Sequence, residues 1–517
     1  MTSLAPSPDI RRRWDRFWLR FHARLDGEAA DRAIPLVAAI STFVVHVALA
    51  AAAERSGVLG SGLGPWLQAA WGRSNDGVQT ALGGADPARA SGSLVGEGVL
   101  QLTRVFPATE LFIVVQSLAI AVAIIPLWRL ARDRADLRAG AALVVVVAYA
   151  LAPTLHRASL SPFHPELVAL PALLWAYLHA WRGAWIRYWL LVFVVLACRA
   201  DLGLTVAAMG LLVAGQHNRR NGVATTATGL VWLLVASLVS DAELPSAALS
   251  PAGEFVARSV GPLAVVPEVL SNPLSEVGGL LTEPSVQFLV VVLAPLLFLP
   301  LVSIRRLAPA LPCLSLAMVA DRVVQEAAEV GVLNLSPVAA HITPALAFVF
   351  LALIMSLARI GTRSVVRVNV DRRILIALLF GSMLFFVTES PSTPYDRPWA
   401  WGGRGDALQH REAMVEQMPS DVPVGVSPTA TALVAERAVV VELPTAPADF
   451  DDTRVEALGA EVDWLLLDTT PDDPVTLEPR WRPDDVTSVL DLLEDHDFER
   501  LASRGGVYVL VKDGAGP

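Results

Sequence analysis

The chain has 517 residues, of which 54% are hydrophobic and 17% are charged, and its mean hydropathy is +0.51. This composition excludes an ordinary soluble globular protein and indicates a polytopic membrane protein. The net charge of −10 comes from the C-terminal part, since residues 389–517 hold 26 acidic and 10 basic side chains. Such an acidic segment argues against nucleic acid as a partner.

Residues 1–32 form a basic N-terminal segment in which Trp14, Phe17 and Trp18 alternate with arginines. The pattern is compatible with an amphipathic helix on the inner leaflet and equally with a solvated basic leader. The first apolar run, residues 33–53, begins too far from the N-terminus for a cleavable signal peptide. It is therefore predicted to be a retained membrane span.

Further apolar runs recur up to residue 388 and give, with the first, eleven predicted spans. Several are shorter than the ~20 residues that a straight crossing needs. Arginines collect in alternate gaps, which predicts a plasma-membrane protein with a cytoplasmic N-terminus and long outer loops at 54–107 and 240–285. The later runs lie at 108–128, 139–155, 167–180, 186–198, 203–215, 223–239, 286–302, 307–320, 343–358 and 374–388.

The predicted fold is thus mainly α: a transmembrane helical domain over residues 33–388, followed by a small extracytoplasmic α/β domain over residues 389–517. In the tail, short β-rich runs, one amphipathic helix and one hairpin follow one another. Asp468, Asp472 and Asp473 are interpreted as solvated turn residues rather than calcium ligands, because the EF-hand order is missing. The strands are expected at 422–426, 439–443, 464–467, 498–502 and 507–511, and the helix at 486–494.

Two polar stretches stand between apolar runs: residues 161–166, which include His164 and Glu166, and residues 198–201, which include Arg199 and Asp201. Two crossings separate them, so both are predicted on the same membrane face. Charged groups at a membrane edge are costly unless paired or hydrated, and such a cluster is a functional-site hypothesis. A purely structural alternative is that Glu166 lies in a helix first turn and that Arg199 pairs with Asp201.

These stretches resemble a family of polytopic prokaryotic membrane proteins of unknown function that is related to membrane glycosyltransferases of the GT-C type. The resemblance extends over nearly the whole chain. It is carried by Phe163-His164-Pro165-Glu166, Arg199-Ala200-Asp201-Leu202-Gly203, Pro300-Leu301 with Arg305, His341 ahead of Pro344-Ala345-Leu346-Ala347-Phe348, and Met418-Pro419-Ser420-Asp421-Val422-Pro423-Val424.

The resemblance implies a GT-C-like fold that takes a sugar from a polyprenyl-phosphate donor at the outer face of the membrane. In such enzymes a carboxylate of the first outer loop activates the acceptor. Here Gly62-Leu63-Gly64, Leu67-Gln68 and Trp71 match the loop pattern without its carboxylates. Of the other acids in the loop, which are Glu54, Asp76, Asp86 and Glu97, we favour Glu97 as base because glycines flank it.

On this interpretation Glu166, Asp201 and Glu97 are the candidate catalytic residues, and Glu166 or Asp201 could also bind a divalent metal. The candidate substrate-binding residues are His164, Arg199, His341, Gln68 and Trp71. Arginine suits a phosphate because its planar fork donates two hydrogen bonds. Two alternatives remain: an inactive relative that binds lipid or an envelope partner, and a transporter, against which no inverted repeat is evident.

Overall fold

The computed structural model describes residues 27–55, 60–75, 82, 86–160, 163–239, 283–315, 341–363, 367–392, 405–444, 447–470 and 481–515. Over these residues the chain is mainly helical, with a five-stranded sheet near the C-terminus and a two-stranded sheet. The proposed amphipathic segment before residue 27 and most of the second long loop, residues 240–282, lie outside the described residues.

The helices of the first half follow the apolar runs. Helix α1 spans Glu28–Arg55, and the first loop carries α2 (Gly60–Ser74), α3 (Pro87–Ala90) and α4 (Leu94–Leu102). The next helices are α5 (Ala108–Val122), α6 (Ile124–Arg129) with a π-helical turn Leu130–Arg134, α7 (Ala139–Ala150), α8 (Pro153–Ser159), α9 (Ala169–Arg182), α10 (Trp185–Cys198), α11 (Leu202–Gln216) and α12 (Arg219–Val239).

The helices of the second half are less regular. They are α13 (Glu283–Leu293), α14 (Ile304–Leu307), α15 (Thr343–Ile360) and α16 (Arg372–Glu389), with short 3₁₀ turns at Ala294–Leu296, Leu299–Ser303 and Ala308–Ala310. Between α15 and α16 the strands β1 (Thr362–Arg363) and β2 (Val368–Asn369) form an antiparallel pair.

The outer surfaces of the helices expose large apolar side chains. Along α10, Ile186, Leu190 and Phe193 are exposed on one face, whereas Tyr188 and Val192 are fully buried in the bundle. Large apolar side chains at positions i, i+4 and i+7 on an outer face are stable in lipid but not in water. The exposed stripe therefore agrees with a helix that borders the membrane.

The structure does not confirm eleven spans. Among the described residues, three helices are long and apolar enough to cross a membrane: Glu28–Arg55, Ala108–Arg134 and Thr343–Ile360. The count reaches five if two bent pairs, with angles of 44° (residues 139–159) and 89° (residues 289–315), each form one span. Helices such as α10, with 14 residues, extend only about 21 Å, which is less than a hydrocarbon core of about 30 Å.

The C-terminal part forms a mixed α/β layer. Strands β3 (Val424–Val426), β4 (Val440–Glu442), β5 (Trp464–Asp468), β6 (Phe498–Arg504) and β7 (Val507–Lys512) lie in the order β4-β3-β5-β7-β6. Strand β3 is parallel to β4 and β5, whereas β7 is antiparallel to β5 and β6. The accompanying helices are α17 (Asp406–Val415), α18 (Thr431–Val434), α19 (Asp452–Glu461) and α20 (Pro483–Asp495). The strands and the amphipathic helix expected here are thereby confirmed.

One expectation for this layer is wrong. Asp468 is not a solvated turn residue but is buried at the end of β5. Its carboxylate accepts hydrogen bonds from Nε of Arg411 at 2.6 Å and from the backbone N–H of Thr470 at 2.9 Å. A buried carboxylate is stable when it is paired and hydrogen-bonded in this way. Arg411 comes from α17, 57 residues earlier, so the pairing had no local sequence signal.

Candidate functional site

A hairpin of two helices brings the two polar stretches together. The 3₁₀ turn Pro165–Val168 leads into α9, and Gly183, with a left-handed φ of 71°, ends that helix. Helix α10 runs back and ends at Arg199, whose backbone is extended. Because α9 and α10 each have 14 residues, the start of the first meets the end of the second. This places Glu166 beside Arg199, as the sequence predicted.

The guanidinium of Arg199 is the centre of the site. Its Nη2 donates to Asp201 Oδ2 at 2.7 Å, its Nε donates to Asp201 Oδ1, and its Nη1 donates to Glu166 Oε1 at 2.9 Å. Glu166, Arg199 and Asp201 are 2%, 4% and 1% exposed. Three charges that are buried to this extent are stable only as a set, because the mutual attraction offsets the loss of hydration.

Two histidines complete the cluster. Nδ1 of His341 lies 2.8 Å from Glu166 Oε1, and Nδ1 of His164 lies 3.4 Å from the same oxygen. Nη1 of Arg199 also contacts Nδ1 of His341. His341 precedes α15 and is 142 residues from Arg199 in the chain, so the site joins three separate segments. We call His164, Glu166, Arg199, Asp201 and His341 the Glu166 cluster.

The Glu166 cluster contains donors for a metal ion. The nearest ligand atoms of His164, Glu166 and His341 all lie within 4.8 Å of one another. Two imidazoles and one carboxylate are the donor set of many catalytic zinc sites. However, Nη1 of Arg199 contacts two of these three atoms. A cation on this triad would therefore have to displace Nη1, while Nε and Nη2 could remain on Asp201.

The first long loop, which was predicted to lie outside, packs against the Glu166 cluster. The backbone N–H of Ala200 donates to Ser91 O at 3.2 Å. Gly92 has a φ of +62°, and a Cβ at this position would lie 3.3 Å from Ala200 Cβ. Glycine is required for both the left-handed conformation and the close approach. The loop is thereby anchored directly over the segment that carries Arg199 and Asp201.

Glu97 lies outside the Glu166 cluster. Arg73 of α2 forms ion pairs with both Asp86 and Glu97. The hydrogen bond from Arg73 keeps the pKa of Glu97 below its ordinary value. Both carboxylate oxygens of Glu97 accept hydrogen bonds, Oε1 from Gln101 at 2.7 Å and Oε2 from Arg73, so neither is free to accept a proton from a substrate. The structure thus assigns Glu97 a role in holding α4 against α2, and it identifies Arg73, which sequence reasoning had missed.

Gln68 and Trp71 are also apart from the Glu166 cluster. The amide nitrogen of Gln68 donates to Arg437 O at 3.3 Å, and its amide oxygen accepts from Leu82 N–H at 2.9 Å. Gln68 therefore connects α2 to the C-terminal layer. Trp71 is half-buried on the same helix.

The structure also contains a second buried polar group, which was not anticipated. His46 contacts Ser159 Oγ, and Nδ1 of His156 lies 2.9 Å from Ser392 Oγ. The rings of His46 and His156 are 4.9 Å apart. The available signal was one histidine within the first apolar run and another directly after the run 139–155, since a histidine at such a position is costly in a membrane unless it is paired.

A family model described as "Predicted membrane protein (DUF2079)" matches residues 99–497, which is most of the chain. The chain belongs to this family of predicted membrane proteins. The match includes all five residues of the Glu166 cluster and most of the C-terminal layer. No curated protein matches the chain. The family relationship supports association with a membrane, and it identifies no reaction, substrate or ligand.

Proposed function

We propose that this protein handles a polyprenyl-phosphate-linked sugar at the outer face of the membrane and transfers the sugar by a GT-C-like mechanism. The observation that carries the proposal is the Glu166 cluster: two carboxylates, one guanidinium and two imidazoles meet at the helix ends over which the first outer loop packs. Ionisable residues that converge within a membrane protein are a functional-site hypothesis by default.

In the proposed reaction, Glu166 is the general base. The described contacts of its carboxylate fall on Oε1, so Oε2 is the atom that can accept the proton of the acceptor hydroxyl. The acceptor oxygen forms a bond to the anomeric carbon, and the bond from that carbon to the phosphate oxygen breaks. The phosphate leaves with the electron pair. His164 is the most exposed member of the cluster and would bind the departing phosphate.

Arg199 has a positioning role in this proposal. Asp201 binds two of its nitrogens, which fixes the plane of the guanidinium and directs Nη1 towards Glu166. A charge held in place before the reaction lowers the cost of reorganisation when the charge distribution changes. Asp201 thus acts through Arg199.

The test is the release of polyprenyl phosphate from polyprenyl-phosphate sugars by the purified full-length protein in lipid nanodiscs. We expect turnover in the wild type and a loss of at least about 100-fold in Glu166→Gln, in line with the removal of a general base. Glu110→Gln is the matched control, because Glu110 is exposed at the start of α5. Turnover in Glu166→Gln equal to that of the wild type would refute the assignment.

A second candidate function is binding of the lipid-linked sugar without turnover. It is favoured by the first outer loop, where Gly62 and Leu67 stand in place of the carboxylates expected of a GT-C enzyme and where Glu97 is paired with Arg73. Saturable binding of the donor lipid that is lost in Asp201→Asn, with no release of polyprenyl phosphate, would select this second function.

A further inference from the structure

A group of basic side chains lies at the other end of the bundle from the Glu166 cluster. Arg134 ends the π-helical turn after α6, Arg306 lies on α14, and His217 follows the last residue of α11. Tyr177, near the end of α9, contacts His217 with ring centroids 5.4 Å apart. Because the Glu166 cluster adjoins the starts of α9 and α11, a distance of about 20 Å along these helices separates the two sites.

These side chains lie close to one another. Arg134 and Arg306 both lie close enough to His217 and to Tyr177 to act on them electrostatically, and Arg306 reaches the Tyr177 hydroxyl. The Arg134 guanidinium stacks over the Trp181 ring at 5.8 Å from its centroid. The Tyr177 hydroxyl itself donates to Gln216 Oε1 at 3.1 Å. We call Arg134, Tyr177, His217 and Arg306 the basic site.

The basic site has hydrogen-bond donors without partners. Nε of Arg134, Nε of Arg306 and Nε2 of His217 are inaccessible to water and have no hydrogen-bond partner among the described residues. Buried polar atoms of this kind are rare in folded proteins, and each needs an explanation such as a bound ion. Three such atoms, two on guanidinium groups and one on the imidazole beside them, point to a missing acceptor.

The carboxylates at this end are engaged elsewhere. Among the described residues, these acids pair with other arginines: Asp31 with Arg132 at 2.6 Å, Asp133 with Arg182 at 2.6 Å, and Asp136 with Arg363 and Arg367 at 3.8 and 3.7 Å. Both guanidinium groups of the basic site are permanently charged and close to the same histidine. Without an anion, their mutual repulsion disfavours the arrangement.

We propose that the basic site binds a phosphate group. Two planar guanidinium groups and an imidazole supply the forked donors that phosphate oxygens accept. Arg134, Arg306 and His217 are each half-buried, so part of each side chain is exposed to a phosphate at the surface. The phosphate belongs either to the headgroup of an anionic lipid or to a free soluble ion. This site is separate from the Glu166 cluster and does not depend on the proposed transfer reaction.

The test uses the full-length protein with two probes. Phosphatidic acid is offered in mixed micelles and its retention is measured by native mass spectrometry. Inorganic phosphate is titrated at constant ionic strength against chloride, with thermal stability as the readout. The variant is Arg134→Gln/Arg306→Gln. The control is Arg220→Gln/Arg305→Gln, which removes the same charge from exposed positions at the same end.

We expect the wild type and the control to bind at least one probe about tenfold more tightly than Arg134→Gln/Arg306→Gln. Retention of phosphatidic acid without stabilisation by phosphate identifies a lipid headgroup, and stabilisation by phosphate identifies a soluble ion. Equal binding by both double variants would overturn the proposal. If Arg134→Gln/Arg306→Gln does not fold, the titration of the wild type tests the proposal by itself. The site is refuted if the wild type binds neither probe beyond the effect of chloride.

Discussion

Arg199 is the residue on which the Glu166 cluster depends electrostatically. It compensates two carboxylates that are almost fully withdrawn from water. Removing one partner of a buried ion pair leaves an uncompensated charge. Replacing all the charged partners by uncharged groups of similar shape has little effect on the free energy of unfolding. Comparing a single variant with a variant that replaces all three charged residues therefore separates the electrostatic contribution to stability from the contribution of packing.

Arg199→Met should therefore destabilise the protein by about 3 to 5 kcal/mol, because Glu166 and Asp201 lose their shared cation. The measurement is thermal unfolding of the full-length protein in detergent. The triple variant Glu166→Gln/Arg199→Met/Asp201→Asn should recover most of the loss. A triple variant as unstable as Arg199→Met alone would show that packing rather than charge dominates.

Glu442 makes the stability of the C-terminal layer depend on pH. It is half-buried on β4, and desolvation raises its pKa to about 7. An unfolded glutamate titrates near pH 4.3. Between these values the folded state binds the proton more tightly than the unfolded state, so this group lowers stability as the pH rises from about 4.5 to 7.

Glu442→Gln should thus stabilise β4 at pH 8 by about 1 to 2 kcal/mol, since water still reaches part of the side chain. At about pH 3 the variant and the wild type should be alike, because Glu442 is then protonated in both states. Hydrogen exchange of the peptide covering residues 439–443 measures the effect, with variant and wild type compared at each pH. Equal protection at pH 8 would contradict the assignment.

At the scale of elements, the contact between α2 and the C-terminal layer joins the two parts of the chain. The backbone of Gly64 approaches Thr431 so closely that a Cβ would overlap the threonine side chain. Gln68, one turn further along α2, bonds to the backbone of Arg437 and Leu82. Leu82 in turn packs in the core of the sheet layer with Val424 and Trp464. The first outer loop is therefore held by the layer on one side and by Ala200 on the other.

Gly64→Ala should loosen this contact, because the added methyl group cannot fit against Thr431. We expect faster hydrogen exchange in residues 60–75 and 428–434 and a destabilisation of about 1 to 3 kcal/mol. Gly98→Ala is the matched control, since a Cβ at Gly98 meets open space. Equal exchange in both variants would show that the contact is absent in solution.

For the whole molecule, the two ends of the helical bundle carry different elements. The first outer loop and the C-terminal layer contact each other, whereas the β1–β2 hairpin packs near Arg132 at the opposite end. The arginine-rich gaps of the sequence predict that the hairpin end is cytoplasmic. The C-terminal layer is then expected outside.

Cysteine labelling tests this direction. The native thiols Cys198 and Cys313 are buried, so an introduced cysteine reports its own position. A membrane-impermeant maleimide should label Glu499→Cys in intact cells, and it should label Arg363→Cys only after permeabilisation; both positions are exposed. Labelling of Arg363→Cys in intact cells, with Glu499→Cys protected, would show that the orientation is the opposite of the predicted one.

The sequence by itself determined where the helices and strands lie, because hydrophobic runs and their periodicity are local properties of the chain. It also placed Glu166 beside Arg199, since two helices of equal length joined by a tight turn return to their starting level. The tertiary structure decided the partners that depend on packing between distant segments. Among these are His341 on Glu166, Arg73 on Glu97 and Arg411 on Asp468.

The number of membrane crossings and the basic site likewise required the fold. Hydropathy counts apolar runs, but a run becomes a span only if its helix is long and straight enough, and bends of 44° and 89° are set by neighbouring helices. Arg134, His217 and Arg306 lie in three separate gaps of the sequence, where each resembles an ordinary loop residue. One nitrogen atom of each has no hydrogen-bond partner among the described residues, and this arises only when the packed helices bring the three side chains together and exclude water from those atoms.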